Sequence, residues 1–554
     1  MNRTNRMNQT KEKPMLFHQA IAQALADQGI KTIFGVLGDA NLYMMDSFRR
    51  RTGGHFYSMS NEAGAVLAAN GFARTSAGLG VATVTHGPAL TNTVTALVES
   101  VKDHTPVLVV AGDTAVVDRE NFQNVSQRDV VLPSGAGFEQ VRSPETVAED
   151  VAVAVRRALL ERRPVVLNVP VEFQWQEVDY VPDRVRWVAP QAVVPDPAAL
   201  DDAVGIIASA RRPLILAGQG AASAEGKQAL LRLAKRIGAP VATTLRARDL
   251  FRGDPHNLGI FGTLSHEVAL EVIGQADCVI AFGASLNKWT TAEGSGLQEK
   301  RVVHVDIDRA AIEQFSGVSA AVVGDVVPVV EAFESLLDEA EVKPTGFASP
   351  QLAERLAARD ERAYDDVSTD QTVDLRTAML KVEEAFPADR TLVHDGGRFV
   401  FQAFKLLHAP EPRAYVHTVN YGSIGLGMGN AVGAWFGAPG RPVLLVSGDG
   451  GFMLGGLAEF SAAVRHQVDL VVVVFNDSAY GAEHIQFRNK DMDPAISTFD
   501  WPDFGPVATA LGGQGFTVHN LAELDEALAA IEHRDRPILI DVKIDPDKVS
   551  MPDH

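Results

Sequence analysis

Cys278 is the only cysteine among 554 residues, so an intrachain disulfide is excluded. It sits in Ala276-Asp277-Cys278-Val279-Ile280, where a thiol is expected as a buried filler rather than a nucleophile. No apolar run is long enough to span a bilayer. The opening stretch Met1 to Lys13 is polar and basic and lacks an apolar h-region, so it is not a secretory signal, and the cytoplasm is the expected compartment. Positive charge is scarce: 50 Lys and Arg stand against 70 Asp and Glu, a formal net charge of −20. That balance argues against a nucleic-acid or anionic-membrane partner. It also means that an anionic ligand needs local help, from a metal or a helix N-terminus. What is present is ordinary for a soluble globular protein, 46% hydrophobic and 22% charged. The length exceeds what one core fills, so three domains are expected.

Helical and strand-like patterns alternate through three blocks, which predicts an α/β fold of three doubly wound domains with mainly parallel sheets. A polar tail covers 1–14, and the blocks are placed at 15–180, 196–340 and 370–546. The stretch 179–197 carries Pro182, Pro190, Pro195 and Pro197 and reads as a linker. The charged stretch 339–372 reads as a second linker with one helix. Little chain follows the last strand, so a long C-terminal lid is not expected. The first and third blocks each contain a strand ending in a turn that opens a helix, without a residue-level repeat between them.

The most informative unit is in the third block. Ser447-Gly448-Asp449-Gly450-Gly451 follows the apolar run ending at Val446, and a second apolar run from Leu470 to Phe475 ends in Asn476-Asp477-Ser478. Asp449 and Asn476 are 27 positions apart, the length of a strand end, a crossover helix and the next strand. Their side chains are hard oxygen ligands at neighbouring parallel strand ends, and the glycines let backbone close on an anion. The unit suits Mg²⁺ carrying a diphosphate.

Upstream, Asn61-Glu62-Ala63-Gly64 opens an Ala/Gly-rich helix. Glu62 is favoured there by the helix dipole, but a carboxylate on a small, apolar face calls for a partner such as a protonatable ring nitrogen. Thr85-His86-Gly87-Pro88 has turn chemistry after a strand, and His86 alone reads as structural as readily as catalytic. The glycines of 422–429 lack dinucleotide-fingerprint spacing and predict close helix packing or a ledge beneath a cofactor. Gly218-Gln219-Gly220 is too short to be specific. Beyond Asn476, Glu483 and His484 fall on a helix one or two turns away, either near a reactive centre or on a solvated face.

Together these segments resemble the thiamine-diphosphate enzymes of the acetolactate synthase and pyruvate decarboxylase superfamily, over nearly the whole chain. The resemblance implies pyrimidine-binding, central and diphosphate-binding domains in that order. It implies that Asp449, Asn476 and the Ser478 carbonyl hold Mg²⁺, that Glu62 hydrogen-bonds the aminopyrimidine, and that Ile424 bends the cofactor. Cofactor contact is likewise expected at Gly397, Gly422, Gly448, Gly450 and Gly451. It further implies sites shared between subunits of a homodimer or homotetramer.

The details divide between branches. Gly38-Asp39-Ala40-Asn41 and Tyr480-Gly481-Ala482-Glu483 look like the decarboxylase stretches whose acids are catalytic, with Leu37 in place of the usual proline. The adjacent His-His pair of those decarboxylases is missing. Phe122-Gln123 instead looks like the acetolactate synthases, whose glutamine contacts the intermediate. His86 stands where that branch has serine, and Ala482 where it has methionine. Asp39, His86, Gln123 and Glu483 are therefore the expected substrate- and proton-handling residues. Val303 to Asp308 resembles a nucleotide-type strand end, yet no phosphate loop supports FAD or ADP, so neither is expected.

The leading reading is a non-oxidative 2-oxo acid decarboxylase or carboligase, with an acyloin or 2-hydroxyacyl-CoA lyase as the close alternative. A Rossmann dehydrogenase would use the glycine turns but leave Glu62 unexplained. A silent binding homologue would lack the complete activation set that is present here.

Overall fold

A computed structural model of the chain describes residues 14–183, 191–360 and 362–548. Nearly all of the expected polar tail, and 184–190 of the expected linker, lie outside the described residues.

Among the described residues, three six-stranded sheets, all parallel, form in sequence. Their central strands are β-branched and buried on both faces, as in Val443–Gly448 and Leu470–Asn476, which is what helices on both sides of a parallel sheet require. A short antiparallel pair, Met15–Leu16 with Glu177–Val178, ties the two ends of the first block together.

The first and third sheets share one strand order. Counting strands from the start of each sheet, both run 2-1-3-4-6-5, whereas the middle sheet runs 3-2-1-4-5-6. The similarity expected of the outer blocks is thus an identity of topology. In such sheets the chain direction of winding reverses at one crevice beyond the carboxyl ends of the strands, and ligands bind there. In the first sheet this crevice lies between Thr32–Gly35 and Gly80–Val84, and in the third between Thr391–His394 and Val443–Gly448. Leu37 to Asp39 and Thr85 to Gly87 therefore occupy the first crevice, and Asp395 to Arg398 and Gly448 to Gly451 the second. In the middle sheet the equivalent crevice is filled by backbone: Gly218 N–H donates to the Phe282 carbonyl at 2.8 Å and Gly220 N–H to that of Gly283 at 3.1 Å.

The first and third domains share a hydrophobic core. Its centre is a helix pair, Glu62–Ser76 against Gly427–Gly437. Backbone meets backbone there: a Cβ on Gly429 would lie 2.9 Å from Leu67 Cβ, and one on Gly433 would fall inside the Ala68 carbonyl. Asn70 Nδ2 donates to Asn430 Oδ1 at 3.0 Å and Thr75 Oγ1 to the Ala434 carbonyl at 3.0 Å, which pins the register. The glycines expected for close helix packing serve that purpose.

The middle domain joins both through Arg246, which pairs with Asp103 of the first domain, and Arg248, which donates to the Leu407 carbonyl of the third. One expectation shifts. Pro197 is not linker but the first residue of the helix Pro197–Ala208, with Asp196 Oδ1 accepting the Ala198 N–H at 2.8 Å. Proline at a first helical position after an Asp cap is a start signal, because its missing donor is not needed there. Cys278 is fully buried in a strand, and burial pushes its thiol up to about 12.

Candidate active site

At the carboxyl edge of the third sheet, the strand Val443–Gly448 passes directly into a helical turn beginning at Asp449. Asp449 is buried; its Oδ2 accepts the Ala479 N–H at 3.1 Å and the Trp501 indole N–H at 2.9 Å. Burial and, next, the neighbouring Asp477 carboxylate raise its pKa. Asn476 Nδ2 donates to Asp541 Oδ1 at 2.8 Å, so its Oδ1 is turned to accept the Ser478 N–H at 3.0 Å. Ser478 is held at φ +51°, a left-handed conformation that a side chain makes costly and that clusters at functional sites. Its carbonyl already accepts the Phe499 N–H at 2.8 Å, which leaves one lone pair.

The glycines divide by role. A Cβ on Gly450 would press to 2.7 Å on the Tyr480 ring, and one on Gly451 would come within 3.0 Å of Asp395 Oδ2. Gly448 has only the Phe399 ring at 3.5 Å and Gly422 nothing within 4 Å, so both border open space. Gly422 at φ +80° and Gly397 at φ +147° take backbone conformations that favour glycine.

The turn carrying Ile424 is anchored by Asp395, which sequence reasoning did not single out. Its buried carboxylate accepts N–H groups from Gly396 at 2.7 Å, Gly425 at 2.9 Å and Leu426 at 3.2 Å, while burial pushes it up to about 6. An acid at the end of the strand Thr391–His394 was the available signal.

In the first domain, Asp39 Oδ1 accepts from Thr85 Oγ1 at 3.1 Å and lies 3.4 Å from His86 Nε2. His86 is buried and its Nδ1 has no partner among the described residues. Gly87, at φ +60°, packs against the backbone carbonyl of Gln123, so these three predicted residues do converge. Gln127, also missed, orients them: its Oε1 accepts the Gly87 N–H at 2.8 Å and its Nε2 donates to the Gly112 carbonyl at 2.8 Å.

Glu62 opens its helix behind the Asn61 cap, whose Oδ1 accepts the Gly64 N–H at 2.7 Å; Asn92 Nδ2 donates to Glu62 Oε2 at 3.0 Å. The same helix end is gripped across domains by Glu459, which accepts the N–H of Asn61 at 2.9 Å and of Ser60 at 3.1 Å. Glu483 is exposed, while His484 is buried with its Nε2 3.0 Å from Asp547. Among the described residues, no hydrogen bond or ion pair joins Asp39, Glu62, His86 or Gln123 to Asp449, Asn476, Ser478 or Glu483.

Comparison with known proteins matches the domains that carry these two crevices to TPP binding domains. Residues 15–132 match the thiamine pyrophosphate enzyme N-terminal TPP binding domain, 200–333 the central domain, and 395–542 the C-terminal TPP binding domain. The chain belongs to the thiamine pyrophosphate enzymes. This makes it a non-oxidative enzyme dependent on thiamine diphosphate (thiamine pyrophosphate).

Its relatives act differently from one another. A sulfoacetaldehyde acetyltransferase of Castellaniella defragrans is 26% identical over 92% of this chain and 89% of its own length. A probable acetolactate synthase large subunit of Methanocaldococcus jannaschii is 27% identical over 95% and 92%. A probable 2-ketoarginine decarboxylase of Pseudomonas aeruginosa is 29% identical over 94% and 92%. The thiamine pyrophosphate enzyme family thus covers acyl transfer, synthesis and decarboxylation. The donor set here, a buried carboxylate, an oriented carboxamide and a carbonyl beside open glycine backbone, fits a hard divalent cation with a diphosphate. Among the described residues, no helix is long and apolar enough to cross a membrane.

Proposed function

We propose that this enzyme is a 2-oxo acid decarboxylase or carboligase dependent on thiamine diphosphate and Mg²⁺. The observation that carries the reading is the placing of two chemically different clusters at the equivalent crevices of two sheets with the same strand order. One is built for a metal and a diphosphate, the other for proton transfer. When bound, thiamine diphosphate supplies a nucleophilic carbon and an electron sink.

Asp449, Asn476 and the free lone pair of the Ser478 carbonyl would hold Mg²⁺. Gly422 and Gly448 would leave backbone room for the cofactor, and Gly397, Gly450 and Gly451 would let the backbone that contacts it pack against Phe399, Tyr480 and Asp395. Ile424, set by Asp395, would form the apolar ledge. Glu62, its second oxygen held by Asn92, would share a proton with the pyrimidine ring. Asp39 and His86, 3.4 Å apart, would move substrate protons. Gln123 would contact the substrate, and Glu483 would act from the diphosphate domain.

The two crevices would meet between copies of the chain, in a homodimer or homotetramer in the cytoplasm. Apolar side chains beside both are exposed in the single chain: Leu37 and Phe122 (94% exposed) at the first, Tyr421 and Leu454 at the second. Cleavage of an acyloin or a 2-hydroxyacyl-CoA is the second reading, favoured by the buried His86 beside Asp39, a pair suited to deprotonating a hydroxyl.

Incubation with thiamine diphosphate, Mg²⁺ and panels of 2-oxo acids, aldehydes, acyloins and 2-hydroxyacyl-CoA thioesters, following CO₂, ligation and cleavage products, separates these. CO₂ release or ligation from a 2-oxo acid supports the first reading. Cleavage of an acyloin or thioester without CO₂ supports the second and removes the first.

A further inference from the structure

Arg398 presents an unfinished set of hydrogen bonds beside the GDG turn. It lies three residues past Asp395, in the loop that follows the first strand of the third sheet. Its side chain is 2% exposed, and Nη2 donates to Asp477 Oδ2 at 2.8 Å. Asp477 directly follows the strand Leu470–Asn476, so the pair bridges the two loops that flank Gly448. Nε and Nη1 have no hydrogen-bond partner among the described residues. The nearby carboxylate Asp547 is engaged by His484 at 3.0 Å and Arg488 at 3.5 Å. A Cβ on Gly481 would lie 3.1 Å from Nε, so the glycine there is what lets the guanidinium sit this close to the helix Gly481–Asn489.

Leaving two nitrogens of a buried guanidinium, with three N–H groups, unpaired is expensive, more so than for neutral donors. The planar fork matches the oxygens of a phosphate, and one arm fixed by Asp477 leaves the others aimed as a unit. A chain of net charge −20 has no general basic surface to offer an anion. Gly448, between these two loops, would bring a Cβ no nearer than 3.5 Å to the Phe399 ring.

We propose that Arg398, clamped by Asp477, is a protein-borne cation for the cofactor's diphosphate, with Nε–H and Nη1–H donating to its oxygens. This rests on the assignment of the third-sheet crevice to thiamine diphosphate. Binding shares the anion's charge between Arg398 and the metal, so affinity depends less steeply on Mg²⁺ than the metal ligands alone would give.

The test is calorimetric titration of the purified full-length protein with thiamine diphosphate and, separately, with thiamine, at two Mg²⁺ concentrations. Arg398→Gln is expected to weaken thiamine diphosphate about tenfold or more, to steepen its Mg²⁺ dependence, and to leave thiamine within about twofold. Because the substitution strands Asp477, the double variant Arg398→Gln/Asp477→Asn is measured beside it, keeping a neutral pair of the same shape; it should show the same selective loss. Unchanged thiamine diphosphate affinity in the folded double variant overturns the role of Arg398, leaving the crevice assignment intact. Equal loss for thiamine and its diphosphate also overturns it, since the effect would then not read the phosphates. A wild-type protein that binds no thiamine diphosphate overturns both.

Discussion

Replacing Glu459 with glutamine removes a buried ionisable group while keeping its shape, at the point where the third domain grips the helix that carries Glu62. Glu459 is 1% exposed, and burial pushes it from 4.5 up to about 7; the Ser60 and Asn61 N–H groups oppose that rise, and Glu62 adds to it. A shift of that size at about 1.4 kcal/mol per pH unit corresponds to about 3 kcal/mol. An acid whose pKa is raised by folding binds its proton more tightly in the native state. Its contribution is therefore fully favourable below the unfolded value and is lost as pH rises from about 4.5 through about 7. Glu459→Gln should match the wild type near pH 4.5 and exceed it by up to about 3 kcal/mol at pH 8. Urea unfolding at a series of pH values and one protein concentration, with amide exchange in Glu62–Ser76 followed in parallel, gives the difference curve. Ionisable groups that do not interact with Glu459 cancel in it. A difference that stays flat from pH 4.5 to 8 would refute the reasoning, because Glu459 would then ionise as freely in the folded as in the unfolded chain.

Helix packing and loop support yield further expectations. Gly433→Ala should lower stability by about 1–3 kcal/mol, since its methyl would enter the Ala68 carbonyl, whereas Gly205→Ala, in a helix with nothing within 4 Å, should raise it by up to about 1 kcal/mol. Thermal melts of the two variants side by side check the sign reversal. Gln127→Ala should strand the buried Gly87 N–H at a cost of about 1–3 kcal/mol and reduce kcat more than cofactor affinity, because His86 loses its support while the third-sheet crevice is untouched. Turnover and thiamine diphosphate titration on one preparation distinguish the two effects.

Much of the site was legible because its residues are local. Asp449 with its glycines, Asn476 with Ser478, and Asn61-Glu62 each occupy a few consecutive positions at a strand end or helix start, where period and turn chemistry speak directly. The parallel α/β class followed from alternation alone. Contacts closed by the fold were not legible. Asp395 holds Gly425 from 30 positions away, Glu459 holds Asn61 from 398 positions away, and Arg398 meets Asp477 across a strand crossover. The shared strand order of the first and third sheets left no residue-level repeat, since topology depends on crossovers rather than on which apolar residue fills a strand. Pro197 differs for a simpler reason: a proline-rich stretch signals a linker, but Asp196-Pro197 is also a capped helix start, and that local signal wins.

Glu62 is the residue on which activation of thiamine diphosphate is proposed to depend. Exchange of the cofactor's thiazolium C2 hydrogen for deuterium, followed by NMR after acid quench, measures that activation without any knowledge of the substrate. With cofactor occupancy verified calorimetrically in the same samples, Glu62→Gln should slow exchange by about 100-fold or more, as loss of a positioned acid–base group does. Exchange at the wild-type rate in the fully loaded variant would show that Glu62 does not activate the cofactor.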